Sequence, residues 1–451
     1  MKKISTGREK LWQVLIVLGG VVLVAVALGS VLPGRWGATQ AMAQRFQRTL
    51  TVCPEGPPAC DHPTLGEAVA AANPDGLIVV RPGIYPEALV LDKSLRIVGE
   101  TGGPVQVQGV ESGVPVVTLN VQGDMRVTLE GITFQASPPS GPVTESPMSC
   151  AFPGAVCSPG IVIRGSGSLS LSLMNVEVSQ ATASALDCAF GEDDVNLRFL
   201  HVIIERSRFT RNFQGVSWGC AGAHEGLLMI RESLIDNSSL VGVSVYTDGS
   251  GSPHRILIEN STFLANLWGL GARGSRADLT VKDSLFLQNR EFGVVADLDL
   301  GSRLWVRSSR FFGNTIGLSI GGVLRANITD EEEFRALELM VEDSAFLGSE
   351  EFAISVRSGW PIQIRRSQIE QNRIGVVVAR AAPWLELREN RIQKNKEWGV
   401  TLARDTCIEE GLPPIDESIT IRGEANQMED NGRGDLCPPD YPWPEGFRTP
   451  E

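Results

Sequence analysis

Three consecutive stretches, Ile258-Glu-Asn-Ser-Thr-Phe263, Val281-Lys-Asp-Ser-Leu-Phe286 and Val306-Arg-Ser-Ser-Arg-Phe311, share one pattern. An apolar residue opens each, a Ser sits at the fourth place and a Phe closes it. Further copies run over Ile204–Phe209, Val341–Phe346 and Ile364–Ile369, and degenerate ones over Leu129–Phe134, Leu173–Val178 and Ile421–Asn426. The repeated Ser stands at 207, 233, 261, 284, 309, 344 and 367, with Asn390 in the next place. The shortest spacing is 23 residues, the length of one turn of a parallel β-helix, and the longer spacings are loops inserted at its corners. Eleven coils are expected, about a dozen in all.

The columns of this repeat carry physical meaning. Val202, Leu228, Ile256, Leu279, Leu304, Leu339, Ile362 and Leu385 precede a second apolar column by two residues, which is the inward face of a strand. Phe134, Phe209, Phe263, Phe286, Phe311 and Phe346 predict an aromatic stack. Asn212, Asn266, Asn289, Asn314, Asn372 and Asn395 predict a hydrogen-bonded ladder of the kind stacked β assemblies make. Gly215, Gly242, Gly269, Gly293, Gly317, Gly375 and Gly399 follow, where another strand is expected to begin after a turn. Between the apolar columns lie Glu205, Arg231, Glu259, Lys282, Arg307, Glu342, Arg365 and Arg388, read as a solvated ladder of weak pairs rather than an ion-binding stripe.

The period overrides what length suggests. A chain of 451 residues invites several domains, whereas the repeat asks for one elongated one. Hydrophobic residues make up 42%, enough for a large core. The net charge of −13, with scattered basic residues, argues against nucleic-acid binding.

Lys2, Lys3, Arg8 and Lys10 precede an uncharged run from Leu11 to Leu32, and Ala41-Met42-Ala43 fits a cleavage site before Gln44. Residues 1–43 are therefore an export signal, or an anchor if uncut, since residues 11–32 are long enough to span a bilayer. The expected location is periplasmic, cell-surface or extracellular, with membrane contact only through this segment. Residues 1–43 hold five basic residues and one acid, so the remainder carries a net charge of −17. All eight Cys lie beyond the signal and predict four disulfides: Cys53–Cys60, Cys150–Cys157, Cys188–Cys220 and Cys407–Cys437. There is no C-x-x-C, and the four His do not cluster with thiols, so no metal site and no cofactor are expected.

Thr64-Leu-Gly-Glu67 reads as a capping box opening a short helix through Ala72, the cap a solenoid needs over its terminal coil. Leu77–Val80 is the expected first strand. The layout is then signal or anchor at 1–43, linker and cap at 44–76, β-helix at 77–437 and a Pro-rich tail at 438–451.

The opening TLGEAVAAANPDGLIVVRPGIYPEALVLDKSLRIVGE, residues 64–100, together with the repeat columns, resembles the pectin lyase-like superfamily of right-handed parallel β-helix proteins, closest to NosD-like and other exported members. The resemblance covers residues 50 to 435 and implies a right-handed coil. It says little about activity, because function on such scaffolds lives in sites. The N-T-D, D-D, G-H-G and R-I-K motifs of polygalacturonase-like hydrolases do not carry over; Asp193-Asp194 occurs, but in an insertion. No methylesterase-like or lyase-like set matches either.

Candidate sites follow from the strand after the repeated Gly. Ser217, Ser244, Gly271, Val295, Ser319, Ser355, Val377 and Thr401 make a small-residue outward shelf, and two residues on Tyr246, Arg273, Asp297 and Arg357 share one face as binding candidates. Asp297 and Asp299, with Arg273, are the candidate catalytic set, because paired carboxylates can serve glycoside hydrolysis. Trp268, Phe292, Phe352 and Trp398 read as a hydrophobic corner rather than a sugar-stacking strip. Insertions at 136–159, 187–198, 321–336 and 404–416 mark the expected binding side. The reading is an exported or surface β-helix that binds a polysaccharide or an envelope partner without catalysis. The alternatives are a divergent polysaccharide lyase or glycoside hydrolase, and a structural or adhesive rod.

Overall fold

A computed structural model gives the fold of residues 49–137, 157–188, 195–219, 225–248, 253–299, 301–322, 339–357, 361–378, 384–403, 407–408 and 420–447. The predicted export segment, Cys150, Cys220 and Asp193-Asp194 lie outside these residues. Every paired strand runs parallel to its partner, and the chain winds as a right-handed β-helix with three faces. First-face strands such as Ala277–Lys282 lead into short second-face strands such as Leu285–Leu287, then third-face strands such as Phe292–Leu298. The second face is a thirteen-stranded sheet, so there are more coils than the eleven expected; the added ones come from the degenerate N-terminal region. The other two faces form one 25-stranded sheet, because Val117–Glu130 and Ile161–Met174 pass from third face to first without a break.

The apolar columns fill the coil. Val202, Leu228, Leu279, Leu304 and Ile362 are fully buried, as are Ile204, Ile230, Ile258, Val281 and Ile364. Phe263, Phe286, Phe311 and Phe346 stack face to face, with centroids 4.7, 4.9 and 4.5 Å apart. Each such contact adds roughly 0.5–1.5 kcal/mol beyond the burial itself. The stack is shorter than expected: Val178 separates Phe134 from Phe209, and Ile235 separates Phe209 from Phe263.

From Asn175 onward, two corners of each coil are turned by a single residue in the left-handed conformation. At the first corner these are Arg206, Glu232, Asn260, Asp283, Ser308, Asp343, Arg366 and Glu389, with φ between 45° and 56°. The Ser that follows accepts a hydrogen bond at Oγ from the backbone N–H of the preceding coil's Ser, as at Ser233 from Ser207 (3.1 Å) and Ser284 from Ser261 (3.2 Å). At the second corner, Arg211, Asn237, Ala265, Gln288, Gln371 and Lys394 play the same part, and the Asn ladder follows. Asn289 Nδ2 donates to Asn314 Oδ1 at 2.9 Å and to the Phe263 carbonyl at 3.2 Å, so these buried amides are satisfied along the axis. Ser238 and Ser349 interrupt the ladder.

The repeated Gly does not turn the chain. Gly293 is the second residue of strand Phe292–Leu298, and Gly269 holds the same place in Trp268–Ser275. A Cβ at Gly293 would lie 2.5 Å from the Gly317 carbonyl oxygen and 2.8 Å from the Phe311 ring. The column is glycine because adjacent coils touch there, not because φ is positive.

Both described ends are closed. A strand Leu50–Val52 pairs with Gly76–Val80, so the helical coil starts within the segment expected to be linker. The helix Leu65–Ala71 buries Leu65, Ala68 and Val69 against the first strands, and Glu67 N–H donates to Thr64 Oγ1 at 3.2 Å. At the other end, residues expected to be tail fold back. Phe447 is 1% exposed and lies on Gly423, and Trp443 Nε1 donates to the Pro438 carbonyl at 2.8 Å. Proline content concealed two core aromatics.

Candidate functional site

Third-face register brings the four binding candidates into one column. Tyr246 pairs with Arg273, Arg273 with Asp297, and Asp297 with Gly321. Arg357 N–H donates to the Ile320 carbonyl at 2.7 Å, placing Arg357 on the next coil beside Gly321. Gly321 decides the geometry: a Cβ there would strike Asp297 Oδ1. The Asp297 carboxylate lies over this bare backbone, and Arg357 Nη2 reaches it at 3.8 Å. Tyr246 is 44% exposed. Arg273 is exposed and makes no hydrogen bond or ion pair among the described residues.

The candidate catalytic set does not form one cluster on the strand. Asp297 belongs to strand Phe292–Leu298, whereas Asp299 lies beyond its end, in a turn closed by Ser302 N–H onto the Asp299 carbonyl at 3.2 Å. Asp297 has Arg273 and Gly321 as its register neighbours, not a second acid.

The small-residue shelf differs from its expected form. Ser217, Ser244 and Gly271 are half-buried, but Ser319, Ser355, Val377 and Thr401 are buried. Val377 packs with Ile374 and Ala403 against Phe352, Trp398 and Ile408 in a second, smaller apolar cluster. Among these shelf positions only Ser217, Ser244 and Gly271, on the earlier coils, are open. The aromatics before the Gly form a corner: Trp268 and Phe292 meet edge to face at 5.7 Å, and Trp268 Nε1 donates to Glu291 at 2.6 Å.

The first-face charges form cross-coil pairs, Arg231–Glu259 at 3.1 Å and Arg307–Glu342 at 3.6 Å among them. Arg365 turns to Glu386 at 3.6 Å. Exposed pairs of this kind contribute about 0–1 kcal/mol each. Arg366 binds both Asp343 and Glu342, and its hydrogen bond holds the Asp343 carboxyl below the usual carboxylate range.

Cys53 is bonded to Cys60, with Cα atoms 5.9 Å apart, and Cys407 to Cys437 at 5.8 Å. Cys157 and Cys188 are also in disulfides; Cys150 and Cys220, their expected partners, lie outside the described residues. The insertions at 187–198, 321–336 and 404–416 all connect a third-face strand to a first-face strand, while that at 136–159 connects second face to third.

No protein-family model matches the sequence, and no curated protein does. Three solved structures are similar at low identity. A periplasmic alginate epimerase, AlgG, is 13% identical over 80% of this chain and 73% of its own, with a TM-score of 0.40. The A-module of an Azotobacter vinelandii mannuronan C-5 epimerase is 13% identical over 83% and 93%, with a TM-score of 0.35. A pectate lyase is 15% identical over 86% and 81%, with a TM-score of 0.30. The right-handed parallel β-helix implied by the pectin lyase-like resemblance is the fold observed.

Proposed function

We propose that the protein is an exported, non-catalytic β-helix that binds a saccharide chain of the cell envelope along its third face. The column Tyr246, Arg273, Asp297, Arg357 carries this reading. Coils stack about 4.8 Å apart, so an extended chain lying along the axis meets one new side chain per coil. Tyr246 offers a ring, and Arg273 offers donors that have no partner among the described residues. Asp297, with Arg357 Nη2 3.8 Å away, offers acceptors to sugar hydroxyls. Disulfides fit an oxidising, exported setting. Among the described residues no helix is long and apolar enough to cross a membrane.

The test is affinity electrophoresis of the purified chain against immobilised envelope polysaccharides, with product release monitored in parallel. Retardation by at least one polysaccharide, weakened by Tyr246→Ala and by Arg273→Ala and without product release, supports the reading. Retardation indifferent to both substitutions removes the site. Release of unsaturated or reducing-end products, abolished by Asp297→Ala, replaces the reading with an enzyme.

A further inference from the structure

Two coils cross from third face to first without a loop. Val117–Glu130 bends at Gly123 (φ 73°), and Ile161–Met174 bends at Gly165 (φ 98°) and Gly167 (φ 123°). The neighbouring strand, Val195–Glu205, carries a bulge: its register against Ile161–Met174 shifts between Leu197 and Phe199, leaving Arg198 supernumerary. Bulges re-aim side chains and concentrate beside functional sites. Here the bulge sends Arg198 across two coils to Asp124 at 3.3 Å and sets Phe199 outward, 45% exposed.

These departures open a hollow of about 370 Å³, at the lower end of the usual range for small-molecule sites. Asp124, Ser168 and Phe199 stand in register across it, and Arg126, Ser170 and His201 form a second row two residues on. Buried Met125 and Leu169 make the floor. Ser94, fixed by accepting the Arg126 backbone N–H at 2.9 Å, and Asp75 close the far wall.

The lining is chemically mixed, and four of its polar side chains have no partner among the described residues. The Arg126 guanidinium, the Ser168 and Ser170 hydroxyls and the His201 ring make no hydrogen bond or ion pair among the described residues. Two carboxylates, Asp75 and Asp124, share the lining with Arg126, and Asp124 is paired with Arg198 beside it. An anion would meet those carboxylates, and an apolar ligand would leave the donors unpaired at a cost. A neutral polyhydroxylated ring answers both, since its hydroxyls donate to carboxylates and accept from Arg and Ser while its C–H face lies on an aromatic ring. We propose that this hollow binds a single neutral sugar residue, in a site separate from the third-face column and sharing none of its side chains.

Saturation-transfer NMR tests this on the purified full chain. The probes are the methyl glycosides of glucose, galactose, mannose and N-acetylglucosamine, with glucuronate as the anionic comparison. At least one glycoside should receive saturation, and its affinity should fall about tenfold (about 1.4 kcal/mol) in Phe199→Ala and in Arg126→Ala. It should be unchanged in Phe312→Ala, which removes an exposed ring on the second face, away from both surfaces. Both hollow residues are exposed, so these variants leave the core intact. The proposal is overturned if no glycoside receives saturation, if binding survives both substitutions, or if glucuronate binds more tightly than every neutral sugar.

Discussion

The Glu87 carboxylate closes the N-terminus of the capping helix: Oε1 accepts from Leu65 N–H and Oε2 from Gly66 N–H, both at 2.8 Å. Glu87 lies on the following coil, so helix and coil are fastened by an anion at the positive end of a helix. The Thr64–Glu67 contact alone leaves these two donors unanswered.

Removing this fastening should loosen the cap. Glu87→Ala is expected to destabilise the chain by about 1 kcal/mol, and Glu87→Gln by less, because its amide oxygen still accepts one bond. Urea denaturation followed by Trp fluorescence measures both. An unchanged midpoint in Glu87→Ala would show that the helix docks through Leu65, Ala68 and Val69 alone.

Two glycines of one strand region should behave oppositely. Gly293→Ala drives a methyl into the Gly317 carbonyl and the Phe311 ring, both rigid, and should cost about 1–3 kcal/mol or more. A Cβ at Gly271 meets nothing closer than Trp268 at 3.4 Å, so Gly271→Ala should stay within about 0.5 kcal/mol. Thermal melts of the pair decide the point, and equal losses would mean that close coil contact is not the reason for the column.

The Asn ladder should be brittle. Asn289→Ala leaves the Asn266 N–H, the Asn314 Oδ1 and the Phe263 carbonyl short of a buried partner, which predicts a loss of about 1–3 kcal/mol. Hydrogen exchange should show faster exchange at the Asn266 amide in this variant. Protection equal to wild type there would refute the ladder as a source of local stability.

Tyr85 predicts an alkaline transition. Its side chain is 2% exposed and its hydroxyl donates to the Arg81 carbonyl at 2.7 Å. Burial first, then the charges of Glu55 and Glu87, push the phenol up to about 12. An unfolded phenol titrates near ~10, so its contribution is complete below that pH and is lost as pH rises through the folded value. Wild type should therefore lose stability between pH ~10 and ~12 more steeply than Tyr85→Phe, by up to about 2 kcal/mol. Denaturation at both pH values tests the sign, and parallel curves would oppose it.

The sequence was legible where one side chain repeats in register. Inward aliphatics, the Ser anchors, the Asn ladder and the four members of the third-face column all keep the period. The corners were not legible. Arg206, Ala265, Gln288 and Ser308 share no chemistry, yet all are left-handed, each with its N–H bonded to the carbonyl of the next coil. That bond and the anchored Ser or Asn after it sustain a conformation usually signalled by glycine. The glycines that do repeat stand where a strand begins, as expected, but the reason for them was not legible, since close packing and positive φ leave the same residue type in the sequence. Gly321 looked like the start of an insertion until its neighbour Asp297 was seen lying over it. Phe199 escaped notice because the Arg198 bulge breaks the period there, and His201 reads in the sequence only as one of four histidines outside any cluster.

The folded C-terminal segment has a consequence for length. A stack of parallel coils has no internal reason to stop, since each new rung repeats the geometry of the last and its exposed edge is a template for another chain. Phe447 seated on Gly423, with Trp443 beside it, ends that propagation as a terminator ends a growing polymer. The cap thus keeps the encoded stack from being lengthened by edge pairing with a second chain, so any ligand aligned along the axis meets the coils of one chain only.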